Sequence, residues 1–84
     1  MHYVYLLKSL KDDWKYIGYT DNLRTRFDKH QNLEVKSTKA HAPFKLIYYE
    51  AYPNKSDARA REYKLKTHSQ TKELLYKQLE SSLK

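Results

Sequence analysis

Two short β-forming runs, residues 3–9 (YVYLLKS) and 14–19 (WKYIGY), are joined by only four residues, Leu10-Lys11-Asp12-Asp13. Both runs alternate and are rich in aromatic and β-branched side chains, which makes them strands. A polar connection this short predicts an antiparallel hairpin. It also predicts the register: Ser9 opposes Trp14, Leu7 opposes Tyr16 and Tyr5 opposes Gly18. Directly opposed residues share a face. Tyr3, Tyr5, Tyr16 and Gly18 then line one side of the hairpin, and Val4, Leu6, Ile17 and Tyr19 line the other. A slip of one residue would exchange the two faces.

What can pack against this hairpin is limited by supply. Leu, Ile, Val and Phe number 17 of 84 residues, whereas tyrosine alone contributes nine. A tyrosine ring buries a large area while keeping a polar tip, so the expected fold is one small domain, residues 1–84, with a partly tyrosine core. The absence of cysteine excludes disulfides and thiolate zinc ligands. It makes a reducing, cytoplasmic setting the default. No apolar run approaches the ~18 residues of a membrane span, so no membrane association is expected. The chain also has a single glycine, against an average usage of ~7%. Gly18 lies inside an aromatic strand, where glycine costs stability and often marks a close approach.

Further along, Thr20 or Asp21 is a good N-cap for a first helix from Asn22 to about Gln31. Residues 32–43 have no period and end in Ala-Pro, which predicts a loop. Residues 44–51 (FKLIYYEA) form a third strand. Asn54 or Ser56 caps a second helix to about Thr67, and Ser69 caps a third over about 70–82, with Leu75, Leu79 and Leu83 at helical spacing. The order ββαβαα predicts an α+β fold, a three-stranded antiparallel sheet flanked by helices.

Several polar residues fall where apolar ones belong. In the first helix, Leu23 and Phe27 share their stripe with Arg26 and His30. In the second, Ala58 and Leu65 share theirs with Arg61 and Glu62. A carboxylate beside a core is costly unless paired, hydrogen-bonded or metal-bound. A structural Arg26–Glu62 ion pair would explain two of these residues, and a C-terminal dipole contact would explain His30. Taken together, two tyrosines, an arginine, a histidine and one glutamate suit phosphodiester hydrolysis. That reaction needs a base for water, a cation for developing charge and a carboxylate for a metal.

At these residues the chain resembles the GIY-YIG nuclease domain, in particular small stand-alone bacterial members related to the nuclease module of the UvrC repair protein. Tyr3-Val4-Tyr5 stands where that family has Gly-Ile-Tyr, and Tyr16-Ile17-Gly18 is its second motif unaltered. The stretch from Asn22 to His30 resembles its Asn-Leu-x-x-Arg-x-x-x-His helix, Pro43 to Glu50 its third strand, and Ala58 to Glu62 the helix of its essential glutamate. The likeness spans residues 3–66, and the C-terminal helix lies beyond it. The first-motif glycine is replaced by Tyr3, the loop after His30 lacks the glycines common in relatives, and no asparagine follows Glu62 at the usual distance. The resemblance implies that Tyr5 and Tyr16 activate or position the attacking water. It gives Arg26 the role of steadying the transition-state phosphate and counts His30 among the catalytic group. It makes Glu62 the sole carboxylate ligand of one Mg²⁺ or Mn²⁺ ion. Gly18 becomes a structural glycine at the site, so Gly18→Val is expected to impair activity more than stability.

A net charge of +7 is a reasonable electrostatic footprint for nucleic acid, and a preponderance of lysine favours non-sequence-specific attraction. Tyr19, Arg24, Lys29 and Arg61 are the candidate contacts to DNA. The C-terminal helix is mixed in sign and is not assigned to DNA. The expected activity is a metal-dependent endonuclease cutting one DNA strand per active site, as in repair or recombination. The chain would act as a monomer or weak dimer, with a partner protein for targeting. Two alternatives stand beside it: a non-catalytic nucleic-acid-binding module of the same fold, and a protein-interaction adaptor using the C-terminal helix. Only the joint presence of Tyr5, Tyr16, Arg26, His30 and Glu62 separates the first from the others.

Overall fold

The hairpin forms in the expected register. In the computed structural model, which describes residues 1–84, β1 (His2–Ser9) pairs antiparallel with β2 (Lys15–Thr20), Tyr5 facing Gly18 and Leu7 facing Tyr16. The third strand, β3 (Phe44–Tyr52), pairs antiparallel with the other side of β1, giving the order β2-β1-β3 and leaving β2 at an edge. A register shift in β3 opposite Leu6 and Leu7 returns Leu46 to one face and Tyr48 to the other, as an extra residue in a strand does.

Each face of the sheet has its own core. On one side Val4, Leu6 and Ile17 pack against Ala58 and Leu65 of α2 (Lys55–Thr67) and Leu75 of α3 (Ser69–Gln78). On the other, Tyr5, Leu7 and Phe44 pack with Trp14, Tyr16 and the Leu23 and Phe27 side chains of α1 (Leu23–Gln31). The hydroxyl of Tyr5 makes the second core polar at its centre. This is the expected α+β arrangement, ββαβαα, with a short 3₁₀ turn at Lys39–His41 added inside the long loop.

The helix ends differ in detail from expectation. Asn22 is the N-cap of α1, its side chain accepting from the Thr25 N–H, while the Thr20 hydroxyl accepts from Asn22 N–H in the turn that leaves β2. Asn54 caps α2. Ser69 is the first residue of α3 and not its cap, because the flanking residue is His68. That helix stops at Gln78, short of 82, where Ser81 and Ser82 disfavour its continuation. Leu79 and Leu83 still pack on the core, so the leucine stripe is spent inside the molecule. At the end of α1, Glu34 N–H bonds back to Lys29 O and Leu33 N–H to His30 O, with Leu33 at φ 64°. This is the paired C-terminal closure that usually recruits glycine.

Glu50 explains the inward position of Arg61. Its carboxylate accepts from Arg61 Nε at 2.9 Å and Nη2 at 3.0 Å, and from the Tyr48 and Tyr52 hydroxyls. Burial opposes ionisation of Glu50, but these four donors outweigh it and hold the carboxyl below its usual range.

Candidate active site at the edge of β2

Alternation turns Tyr5 and Tyr16 to the face covered by α1, and Gly18 leaves the space between them. Their rings lie 6.3 Å apart, centroid to centroid. A Cβ on Gly18 would fall 2.5 Å from Tyr5 Cζ and 2.8 Å from Tyr16 Cε2. No glycine here has positive φ, so the residue serves close approach and not backbone conformation.

The α1 stripe brings His30 under both tyrosines, 5.7 Å from the Tyr5 ring and 5.4 Å from Tyr16. His30 is fully buried. Its Nε2 lies 2.7 Å from the Tyr5 hydroxyl, and its Nδ1 lies 2.8 Å from Thr38 Oγ1. Thr38 in turn donates its hydroxyl proton to Val35 O at 3.4 Å. That leaves Thr38 Oγ1 to accept from Nδ1–H, and leaves Nε2 to accept from Tyr5. The chain therefore runs in one direction, from the tyrosine hydroxyl through the imidazole to the loop. Thr38 was missed in the sequence because it lies in a stretch with no period. It is nevertheless fully buried.

Both ends of this pair are held uncharged. Burial pushes the Tyr5 hydroxyl up to about 12, with the Arg26 guanidinium pulling the other way. Burial, joined by repulsion from Arg26, pushes the His30 imidazole down to about 4. Arg26 lies one turn before His30, and its Nε is buried with no hydrogen-bond partner. An unpartnered buried donor costs on the order of 1–3 kcal/mol, more when charged. Such a group in a native fold calls for an explanation, catalysis among them.

The His30 environment has a consequence for stability. An unfolded histidine titrates near 6.5, whereas His30 in the folded chain titrates near 4. Stability is therefore complete above pH ~6.5, is lost as pH falls, and has lost this share by pH ~4. The share is on the order of 3 kcal/mol at 1.36 kcal/mol per pH unit. Urea midpoints of the wild type are expected to fall across that window, while those of His30→Asn, lower at neutral pH, stay nearly level. Parallel curves for the two proteins would contradict this origin of the acid sensitivity.

Glu62 approaches from the other helix layer. Its carboxylate is only 15% exposed and pairs along α2 with Lys66 at 3.1 Å and Arg59 at 3.6 Å. No pair joins Arg26 to Glu62, so the structural ion pair suggested by the sequence is replaced by pairs within α2. The Lys66 ammonium lies over the Tyr16 ring, 5.4 Å from its centroid, so α2 side chains reach the tyrosines across the free edge of β2. The charge of Glu62 acts on the Tyr5 hydroxyl, raising its pKa. Lys29 lines the polar cleft that also holds Arg26, at the start of α1. Arg24 borders a groove with Leu23, Phe27 and Leu46 on the α1 face. Tyr19 faces the α2 side, hydrogen-bonded to His2 and covered by Arg59. Arg61 is not brought to this edge, being committed to Glu50.

Two tyrosines and a glycine on the paired strands β1 and β2, with an Arg/His helix on one face and a glutamate helix on the other, define a nuclease-type domain. The sequence matches the GIY-YIG catalytic domain over residues 1–77, and the chain belongs to that family. It is similar to a UPF0213 protein of Clostridium perfringens, 41% identical over 75 residues, covering 88% of this chain and 80% of the relative. A UPF0213 protein of Staphylococcus saprophyticus is 42% identical over 74 residues, covering 87% and 89%. Among solved structures, a solution NMR structure of a UPF0213 protein from Bacillus halodurans superposes with a TM-score of 0.54 at 35% identity. That match covers 88% of this chain and 81% of the other. No helix is long and apolar enough to cross a membrane.

Proposed function

We propose that the chain is a metal-dependent endonuclease that hydrolyses DNA phosphodiester bonds, one strand per active site. The observation that carries this reading is the buried chain Tyr5–His30–Thr38 beside the unpartnered Arg26 Nε. Packing alone would favour apolar residues at these positions, since buried polar networks are costly unless satisfied.

At neutral pH the Tyr5 hydroxyl is protonated and donates to a neutral His30. It can accept a proton from the attacking water only as its own passes to His30 Nε2. Thr38 keeps Nδ1–H in place during that transfer, fixing the tautomer that receives. Negative charge developing on the phosphate would offset the cost of charging this buried ring. Arg26 supplies the fixed cation for the same charge, and Tyr16 packs against both Tyr5 and His30.

Glu62 is the residue to hold the metal. No cluster of three ligating side chains is present, so Glu62 would share the ion with water and substrate oxygens. That suits Mg²⁺ or Mn²⁺ retained largely by water and substrate phosphate. Arg59 and Lys66, 60% and 43% exposed, can release the carboxylate at little cost. When bound there, the ion supplies Lewis-acid stabilisation of a phosphoryl oxygen.

Supercoiled plasmid incubated with the protein and Mg²⁺ or Mn²⁺ is expected to become open circle before any linear form, and EDTA is expected to stop the reaction. Direct appearance of linear DNA would contradict one cut per site. Cleavage that persists in EDTA would contradict the metal requirement.

A further inference from the structure

Helix α3 carries Lys72, Glu73 and Lys77, mixed in sign along the sequence. In the fold these residues part by face. Lys72 and Tyr76, one turn apart, line a groove with Lys15, Tyr16 and Lys66 at the edge of β2. Glu73 and Lys77 line a different groove on the outer side of the helix. The first groove holds about 210 Å³. It shares Tyr16 and Lys66 with the proposed active site.

Three lysines line this groove, and two of them have little to neutralise them. Lys66 pairs with Glu62. Lys15 reaches only Asp13, at 4.0 Å, and Asp13 is almost wholly exposed, so this contact contributes little. Lys72 has no carboxylate partner, and Lys15 rests over the Tyr76 ring at 5.6 Å. Crowded like charges are unfavourable alone and favourable around an anion.

We infer that this groove between β2, the end of α2 and α3 binds a backbone phosphate of the DNA strand next to the bond being cut, through Lys15 and Lys72. The inference rests on DNA being the substrate of the neighbouring site. It makes α3, outside the resemblance seen in the sequence, part of the DNA-binding surface, and it gives the strand a direction across the edge of β2.

The test is the salt dependence of DNA binding by the whole protein in EDTA, followed by fluorescence anisotropy of a labelled duplex. Each phosphate contact contributes about 0.9 to the slope of log K against log salt. The double variant Lys15→Ala/Lys72→Ala is expected to reduce the slope by about that amount, since both lysines serve one phosphate, and each single variant by part of it. Lys72→Arg should keep the wild-type slope. Lys77→Ala, on the outer face of the same helix, should also leave it unchanged. Equal reductions from Lys72→Ala and Lys77→Ala, or none from Lys72→Ala, would overturn the groove. A protein that nicks plasmid yet shows no Lys72 effect loses only this inference. One that shows the Lys72 effect but never nicks keeps the groove and loses the catalytic reading.

Discussion

Gly18→Ala is expected to cost the protein both stability and cleavage. The new Cβ would lie 2.5 Å from Tyr5 Cζ and 2.8 Å from Tyr16 Cε2, and would press on the Tyr5 hydroxyl. A flexible side chain could swing away, but Tyr5 cannot. It is 2% exposed, it packs with Leu7 and Phe44, and its hydroxyl is tied to the fully buried His30. Relief must come from breaking that hydrogen bond or from prising β2 away from β1. Overpacking costs about 1–3 kcal/mol, and a buried group left unpaired costs about 1–3 kcal/mol more. We expect a loss on the order of 3 kcal/mol in urea unfolding. Cleavage should fall ~100-fold or more, since a misplacement of about 1 Å at a reacting group has that effect. The larger valine is expected to be worse on both counts. Because Tyr5 belongs to the core as well as to the site, the sequence-based expectation of damage mainly to activity underestimates the loss of stability. A Gly18→Ala protein with wild-type stability and full cleavage would contradict the packing described here.

The hairpin was legible because two constraints agreed. Alternation assigned the faces, and a four-residue connection fixed which residues oppose. The α1 stripe was legible for a similar reason, Arg26 and His30 standing out only because Leu23 and Phe27 defined the period. Thr38 offered no such background. It orients His30 from a loop whose position is set by distant contacts, Gln31 with the Phe44 backbone and Ser9 with His41 O among them. Glu50 was hidden because its partner Arg61 is eleven residues away on another element. The charges of α3 are mixed in sign along the chain and part by face only once the helix is docked. In each case the missing information was tertiary, a partner brought near by the fold.

Glu62 carries the largest expected effect on activity with the smallest on folding. Its ion pairs to Arg59 and Lys66 lie on the surface of one helix, where such pairs contribute about 0.3–0.5 kcal/mol each. Glu62→Ala should therefore fold almost as stably as the wild type. In the proposed mechanism it removes the only carboxylate offered to the metal, leaving Tyr5, His30 and Arg26 in place. Loss of one strong electrostatic contribution to a transition state typically costs on the order of 10³-fold. The most direct measurement is relaxation of supercoiled plasmid in Mg²⁺ or Mn²⁺ by wild type and Glu62→Ala at equal concentration, both shown to be folded. The account predicts that the wild type nicks the plasmid and the variant leaves it supercoiled. Equal relaxation by the two proteins, or none by the wild type, would contradict it.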